Sequence, residues 1–235
     1  MTESIALQPK DRVIGLVYLF YFLTAILSVF LSKDIVVPGD AAATANNILA
    51  HESLFRSSFA VNLIATMLYI ALTALFYNLF KPVNRNLSLI AAFFSIMGCA
   101  MQTFGSLFQL APLVILSDSM PLAIFNEEQL QTLSLLFLKL QTQSFNIGLV
   151  FFAFYCLLIG YLILRSTFLP RILGVLMVVA GLGWVTFLAP PLAEHISRYT
   201  QIFGFVAEVL LMLWLLLVGV DVRQWKEKSN ASAAL

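Results

Sequence analysis

Charge is what this sequence is short of. Only 13 Lys or Arg and 12 Asp or Glu stand among 235 residues, 11% in all, against about a quarter in a soluble domain. A water-soluble globular enzyme is thereby excluded. The net charge of +1 leaves no concentrated basic field, which argues against a nucleic-acid partner. Cysteine is equally scarce. Cys99 and Cys156 are two thiols inside apolar segments, too few for a disulfide framework or a cysteine zinc site. Histidine occurs twice, at His51 and His195, and neither lies inside an apolar run, so a haem held between two buried histidines is excluded. No polar stretch exceeds about 30 residues, too short to bury a core of its own. The motifs G-x-S-x-G, H-E-x-x-H and GxGxxG are absent, and Ser95 has no neighbouring base.

What is abundant is apolar sequence, 61% of the chain. A hydrocarbon core about 30 Å thick needs about 20 apolar residues as a helix. Six segments meet that length, at about 13–31, 59–80, 87–110, 145–164, 169–188 and 199–220. The expected fold is an all-α integral membrane bundle of six transmembrane helices, forming a single domain over 1–235, with a disordered tail at 229–235. The first segment is too long for the apolar region of a signal peptide and reads as a retained span.

Basic residues set the orientation. Lys10, Arg12, Lys81, Arg85, Arg165, Arg171, Arg223, Lys226 and Lys228 fall on one side, and Lys33, Arg56 and Arg198 on the other. Nine against three places both termini in the cytoplasm. Trp225 and Tyr161 then fall at the level of an inner aromatic belt.

Both long loops are outside by this reading. Pro38-Gly39 breaks the chain and Asp40 suits an N-cap. Ala45, Ile48, Leu49, Glu52, Phe55 and Phe59 then recur at helical spacing, giving a short amphipathic outer helix around 40–57 that lies on the membrane or closes over the bundle. Asn126 with Gln129 three residues on forms a capping box. The fourth helix therefore starts near Glu127 and is far longer than its span. Gly174 and Gly181, seven apart, allow a close helix crossing, and Pro170 suits a helix start.

Polar residues inside spans are costly and therefore informative. Asn62, Thr66, Tyr69, Thr73 and Tyr77 form one stripe on the second span. Ala91, Ser95, Gly98, Gln102, Gly105 and Gln109 form one on the third. Lys139, Gln143, Asn146, Ala153 and Gly160 line up on the fourth, and Gln201, Gly204 and Glu208 on the sixth. Small residues and hydroxyls of this kind mark the inside of any helical bundle. At about 1.5 Å of rise per residue, Gln102, Glu208, Asn62 and Asn146 all fall in the outer half. That asymmetry suggests a polar pocket open to the outside and sealed below. A carboxyl near the midplane needs a proton or a cationic partner. For Glu208 the candidate partners are Arg56 and Lys139, or Gln102 as a hydrogen-bond partner in a purely structural role.

Arg12-x-x-Gly15, Val37-Pro38-Gly39-Asp40, Asn46-Asn47, Glu52-x-x-Phe55-Arg56, Leu169-Pro170-Arg171-x-Leu173-Gly174 and Glu208 with Trp214-Leu215 and Gly219 occur in that order. Together they resemble a bacterial family of six-span membrane proteins known as domain of unknown function 4386. The resemblance covers nearly the whole chain. It implies a six-span topology and a bacterial plasma membrane, places Arg56 and Glu208 in the family pattern, and implies no reaction.

The expectation is a multi-pass protein binding a small molecule or lipid in an outward-facing pocket. Glu208, Gln102, Asn62, Asn146 and Gln143 are the orienting groups, with Arg56 or Lys139 at the mouth. Three alternatives stand beside it. One is a transporter or carrier using Glu208, another an intramembrane enzyme modifying lipid, and the third a packing partner of another membrane protein or of a second copy. No cofactor is expected. A metal site from His51, Glu52, Glu194 and His195 is the one metal reading, and its spacing carries no signature.

Overall fold

The computed structural model describes residues 11–117 and 125–233. Eight α-helices follow one another, and no strand occurs among the described residues. They are α1 (Asp11–Ser32), α2 (Ala41–Ala50), α3 (Glu52–Phe80), α4 (Arg85–Ile115), α5 (Glu127–Arg165), α6 (Arg171–Val185), α7 (Pro190–Leu217) and α8 (Val222–Ala233), with a 3-10 turn at Thr186–Leu188. Among the described residues six stretches are long and apolar enough to cross a membrane: α1, α3, α4, α5, α6 with its 3-10 turn, and α7. The protein is thus an all-α, multi-pass membrane protein, as the hydropathy required.

The helix ends follow local chemistry. Pro38 and Gly39 make the turn before α2, with Gly39 at φ 82° and Asp40 N–H donating to the Val37 carbonyl at 3.2 Å. Asp40 Oδ1 then accepts from Ala43 N–H at 2.8 Å, as an N-cap should. At α5 both bonds of the capping box form. Gln129 N–H donates to Asn126 Oδ1 at 2.8 Å, and Asn126 N–H to Gln129 Oε1 at 2.9 Å. The 39 residues of α5 make it about 58 Å long at the standard rise. Gly219, at φ 83°, ends α7 by donating back to the Trp214 carbonyl at 2.8 Å.

Three expectations change. The amphipathic helix around 40–57 is two helices, because α2 stops at His51 and α3 restarts at Glu52. The segment from Ser229, expected to be disordered, is helical to Ala233. Its helix is fixed at the start by Asp221, whose Oδ1 caps Arg223 and Gln224 N–H and whose own N–H donates to the Phe168 carbonyl. Trp225 is 3% exposed rather than part of a lipid-facing belt, and its indole N–H donates to the Leu79 carbonyl at 3.0 Å. Tyr161 is exposed, and Arg165 lies over its ring and donates to its hydroxyl at 3.0 Å.

The helices contribute to two compact units. Among the described residues, one comprises 11–19, 69–98 and 149–233, and the other 20–68, 99–117 and 125–148.

In the first unit, glycine sets the helix approaches. Gly160 of α5 and Gly174 of α6 face each other, so a Cβ on either would sit under 3 Å from the other's carbonyl oxygen. Seven residues away in each helix, Gly181 packs on the Ala153 carbonyl in the same way. Gly15 of α1 lies against the backbone of Leu215 and Leu216 in α7, and Gly204 of α7 takes the Trp184 ring. Aromatic edges fill the remaining space, with Tyr18 on Phe76 at 5.9 Å and Tyr69 on Phe152 at 5.1 Å.

The second unit has a cluster of Ile35, Ile48, Phe55, Leu113 and Leu138, which seats α2 against α3, α4 and α5. Ile48 is fully buried, and the Thr44 hydroxyl ties α2 back to Val37 and Asp40.

Gly160→Val should destabilise the protein by about 1–3 kcal/mol, the usual cost of overpacking a close contact. The backbone carbonyl of Gly174 cannot move aside without separating α5 from α6. Thermal unfolding in detergent checks this, with Ala100→Val on an exposed face as the control expected to change little.

Candidate functional site

Two polar constellations stand inside the spans, one in each unit. In the first unit, the Glu208 side chain is 5% exposed. Its position follows from α7, which turns Gly204, Ala207, Glu208, Leu211 and Leu215 to the same buried face. Tyr69 of α3 donates its hydroxyl to Glu208 Oε1 at 3.4 Å, and Tyr18 of α1 also hydrogen-bonds the carboxyl. Tyr155 and Cys156 of α5 border the cluster, with the Tyr155 ring edge-on to Tyr69 at 6.2 Å. Among the described residues no Lys, Arg or His pairs with Glu208. Its partners are therefore tyrosine hydroxyls, where the sequence suggested Arg56, Lys139 or Gln102. Neither Tyr18 nor Tyr155 was singled out from the sequence, since a tyrosine in an aromatic-rich span looks like core. The available signal was that Tyr69 and Glu208 each lie on their helix's polar stripe.

The second unit carries a chain of hydrogen bonds across four helices. Ser28 Oγ of α1 donates to the Ser58 carbonyl at 2.9 Å. Gln109 Nε2 of α4 donates to Ser58 Oγ at 3.0 Å, and Gln141 Nε2 of α5 donates to Gln109 Oε1 at 3.2 Å. One turn away, Ser144 Oγ donates to the Met101 carbonyl at 2.8 Å, which Gly105 permits by leaving room for the Ser144 side chain. Ser58, Gln141 and Ser144 were missed in the sequence. Ser58 extends the α3 stripe one turn before Asn62, and that spacing was visible.

The predicted ligand-binding residues of this unit divide by exposure. Asn62 is half-buried and donates to Ser106 Oγ at a long 3.4 Å. Gln102 and Asn146 are half-buried, and neither side chain has a hydrogen-bond partner among the described residues. Gln143 and Lys139 lie on the exposed face of α5, whose inward face is Ser134, Leu138, Gln141 and Ser144. Arg56 is exposed, and its Nε pairs with Glu52 Oε1 at 2.6 Å on the same helix. The unit also holds a cavity of about 230 Å³ beside α2, lined by Phe30, Lys33, Asp34, Asn47 and His51 among others. Asn47 Nδ2 donates to the Asp34 and Ile35 carbonyls there, and Asp34 takes φ 65°.

The metal reading finds no support among the described residues, where no three His, Cys, Asp or Glu side chains come together. The Glu194 side chain lies outside the described residues. His51 lines the α2 cavity, and His195 is exposed with Nδ1 at 2.8 Å from the Pro191 carbonyl of its own helix.

Residues 13–219 match the family described as domain of unknown function DUF4386. The chain belongs to that family. That range holds all six spans together with Asn62, Gln102, Asn146 and Glu208. The family member is also similar to an uncharacterized protein of Archaeoglobus fulgidus, 25% identical over 145 residues that make up 61% of this chain and 72% of that one. No solved structure matches the chain.

A double-mutant cycle of Tyr69→Phe and Glu208→Leu, each of which removes one partner of the bond, should give a coupling on the order of 0.6 kcal/mol, the average for interhelical hydrogen bonds in membranes. Thermal unfolding of the four proteins in detergent measures it. A coupling near zero would mean that the 3.4 Å contact contributes nothing.

Proposed function

We propose that this family member is a multi-pass protein of a bacterial plasma membrane, with both termini in the cytoplasm, that binds a small molecule or lipid from the outer side. The observation that carries the reading is the pair of half-buried amides, Gln102 and Asn146, with no hydrogen-bond partner among the described residues. Both keep some exposed surface, and inside a span an amide that meets hydrocarbon in place of water or a partner costs up to about 1–3 kcal/mol. On the same two helices Thr103 and Ser106 bond a carbonyl of their own turn, Ser144 bonds one on the neighbouring helix, and Ser95 bonds the Thr73 hydroxyl. A ligand carrying its own donors and acceptors would meet these amides, with Asn62 as a third. Gln143, Lys139 and Arg56 would contribute from the exposed surface, and the cavity beside α2 would give a small molecule an entry.

Glu208 belongs to the proposal as a second polar anchor, in its own unit with Tyr18 and Tyr69. A carboxyl inside a span is a functional-site hypothesis by default. One observation favours a second reading for it: both tyrosine hydroxyls already bond the carboxyl, which suits a clasp between α1, α3 and α7.

Native mass spectrometry of protein released from mild detergent separates the readings. The wild type should carry a discrete added mass that falls by tenfold or more in Gln102→Leu/Asn146→Leu. If the double variant keeps the adduct, the amides do not hold the ligand. In Glu208→Gln, a weakened adduct supports the anchor, whereas an unchanged adduct with a changed melting temperature supports the clasp.

Orientation has its own test. In a Cys99→Ala/Cys156→Ala background, Asn46→Cys should react with a membrane-impermeant maleimide on intact cells and Ser229→Cys only after lysis. The reverse pattern would invert the topology.

A further inference from the structure

The first unit holds a second candidate site, at the end of α3 and the start of α4. Lys81 follows the last residue of α3, and Arg85 is the first of α4. Together with Tyr77, Pro82, Ser229 and Ser232 they line a cavity of about 310 Å³. The two serines are three apart on α8 and so share one of its faces. From this geometry we infer that the cavity binds a phosphate group, carried by the headgroup of an anionic phospholipid.

The cavity wall contains two cations, three hydroxyls and no acid. Lys81 Nζ is held by Asn78 Oδ1 at 3.3 Å, which leaves it further N–H donors. Arg85 has no hydrogen-bond or ion-pair partner among the described residues. The acids of the neighbouring segment are engaged elsewhere: Asp221 caps α8, and Glu227 pairs with Arg223 at 3.3 Å. Neither neutralises Lys81 or Arg85.

Phosphate suits this donor set because it offers several strong acceptor oxygens to a guanidinium fork and an ammonium at once. The α4 dipole adds favourable potential at Arg85, with Asn84 Oδ1 already capping Leu87 N–H. The location favours a lipid as the carrier. Lys81 and Arg85 bracket the junction of two spans, where a headgroup lies, and basic pockets between spans are known to take anionic headgroups. The α8 wall is held by the buried Trp225, whose indole bonds the Leu79 carbonyl two residues before Lys81. The serines are thereby kept opposite the cations without any ligand present.

Full-length protein in phosphatidylcholine nanodiscs, with and without phosphatidylglycerol, tests the inference by native mass spectrometry and melting temperature. The wild type should retain a phosphatidylglycerol molecule and melt higher in its presence. Lys81→Gln/Arg85→Gln should lose roughly thirtyfold of that retention, since each cation near an anionic surface contributes about a fivefold factor. Ser229→Ala/Ser232→Ala, outside the spans, should weaken it without affecting folding. Arg171→Gln/Arg223→Gln removes the same charge at two residues that do not line the cavity and should leave retention unchanged. Equal loss in that control would show a general charge effect and overturn the site. Competition by inorganic phosphate would assign the cavity to a soluble phosphate ester, with the phosphate chemistry kept and the lipid carrier overturned. No retention and no thermal shift with either probe would overturn the whole inference.

Discussion

Backbone hydrogen bonding without water is the constraint on which this structure depends. Inside hydrocarbon each peptide group must find a partner within the protein, so a chain crosses as helices or as a closed barrel, and apolar runs of about 20 residues select helices. That requirement accounts for the six long helices. It also removes the force that usually joins helices, since lipid tails are as apolar as leucine. Helices must then be held by close backbone approach and by the few polar groups they carry. The register of Gly160 and Ala153 against Gly174 and Gly181 supplies the first, each pair seven residues apart on antiparallel helices. Gly15 against α7 supplies another such approach.

The polar groups divide by how they are satisfied. Thr66, Thr103 and Ser134 return their hydroxyls to the carbonyl four residues back. They cost their helix little and specify little. Others cross between helices. Thr73 meets Ser95 Oγ at 2.6 Å, Gln109 joins Ser58 to Gln141, and Tyr69 reaches Glu208. These bonds fix which helix faces meet. Gln102 and Asn146 do neither, and a residue that packing leaves unfinished is where a binding reading has physical content.

Most of the helical architecture was legible because two periodicities coincided. On α3 and α4 the rare polar and small residues recur at three and four, and those positions are the buried ones: Thr66, Tyr69 and Thr73, then Ala91, Ser95 and Gln109. On α5 the same rule misread the face. That helix carries polar residues all round its first half, so Lys139 and Gln143 aligned as convincingly as Ser134, Gln141 and Ser144. Polarity marks the interior only where the surroundings are lipid, and a helix much longer than its span leaves that regime. The break at His51 was hidden for a related reason, because apolar spacing continues through it while the backbone does not. Trp225 shows a different gap. Aromatic placement indicates depth along the membrane normal but not direction, and this indole turns inward to a free carbonyl at the end of α3.

That inward turn makes α8 separable from the spans in physical terms. The family match ends at residue 219, before α8 begins at Val222. Gly219 closes α7 and Asp221 opens α8, so the chain is punctuated at the point where the family description stops. The spans are held by glycine contacts and interhelical bonds that involve no residue of α8. Among the described residues α8 is held by the buried Trp225 on α3, by its Asp221 cap and by a backbone bond to Phe168. The helix carries basic residues at Arg223, Lys226 and Lys228 and two serines that line a cationic cavity. Its placement makes sense as one wall of a polar site at the membrane boundary, where the chemistry available to this chain is set by charge rather than by packing.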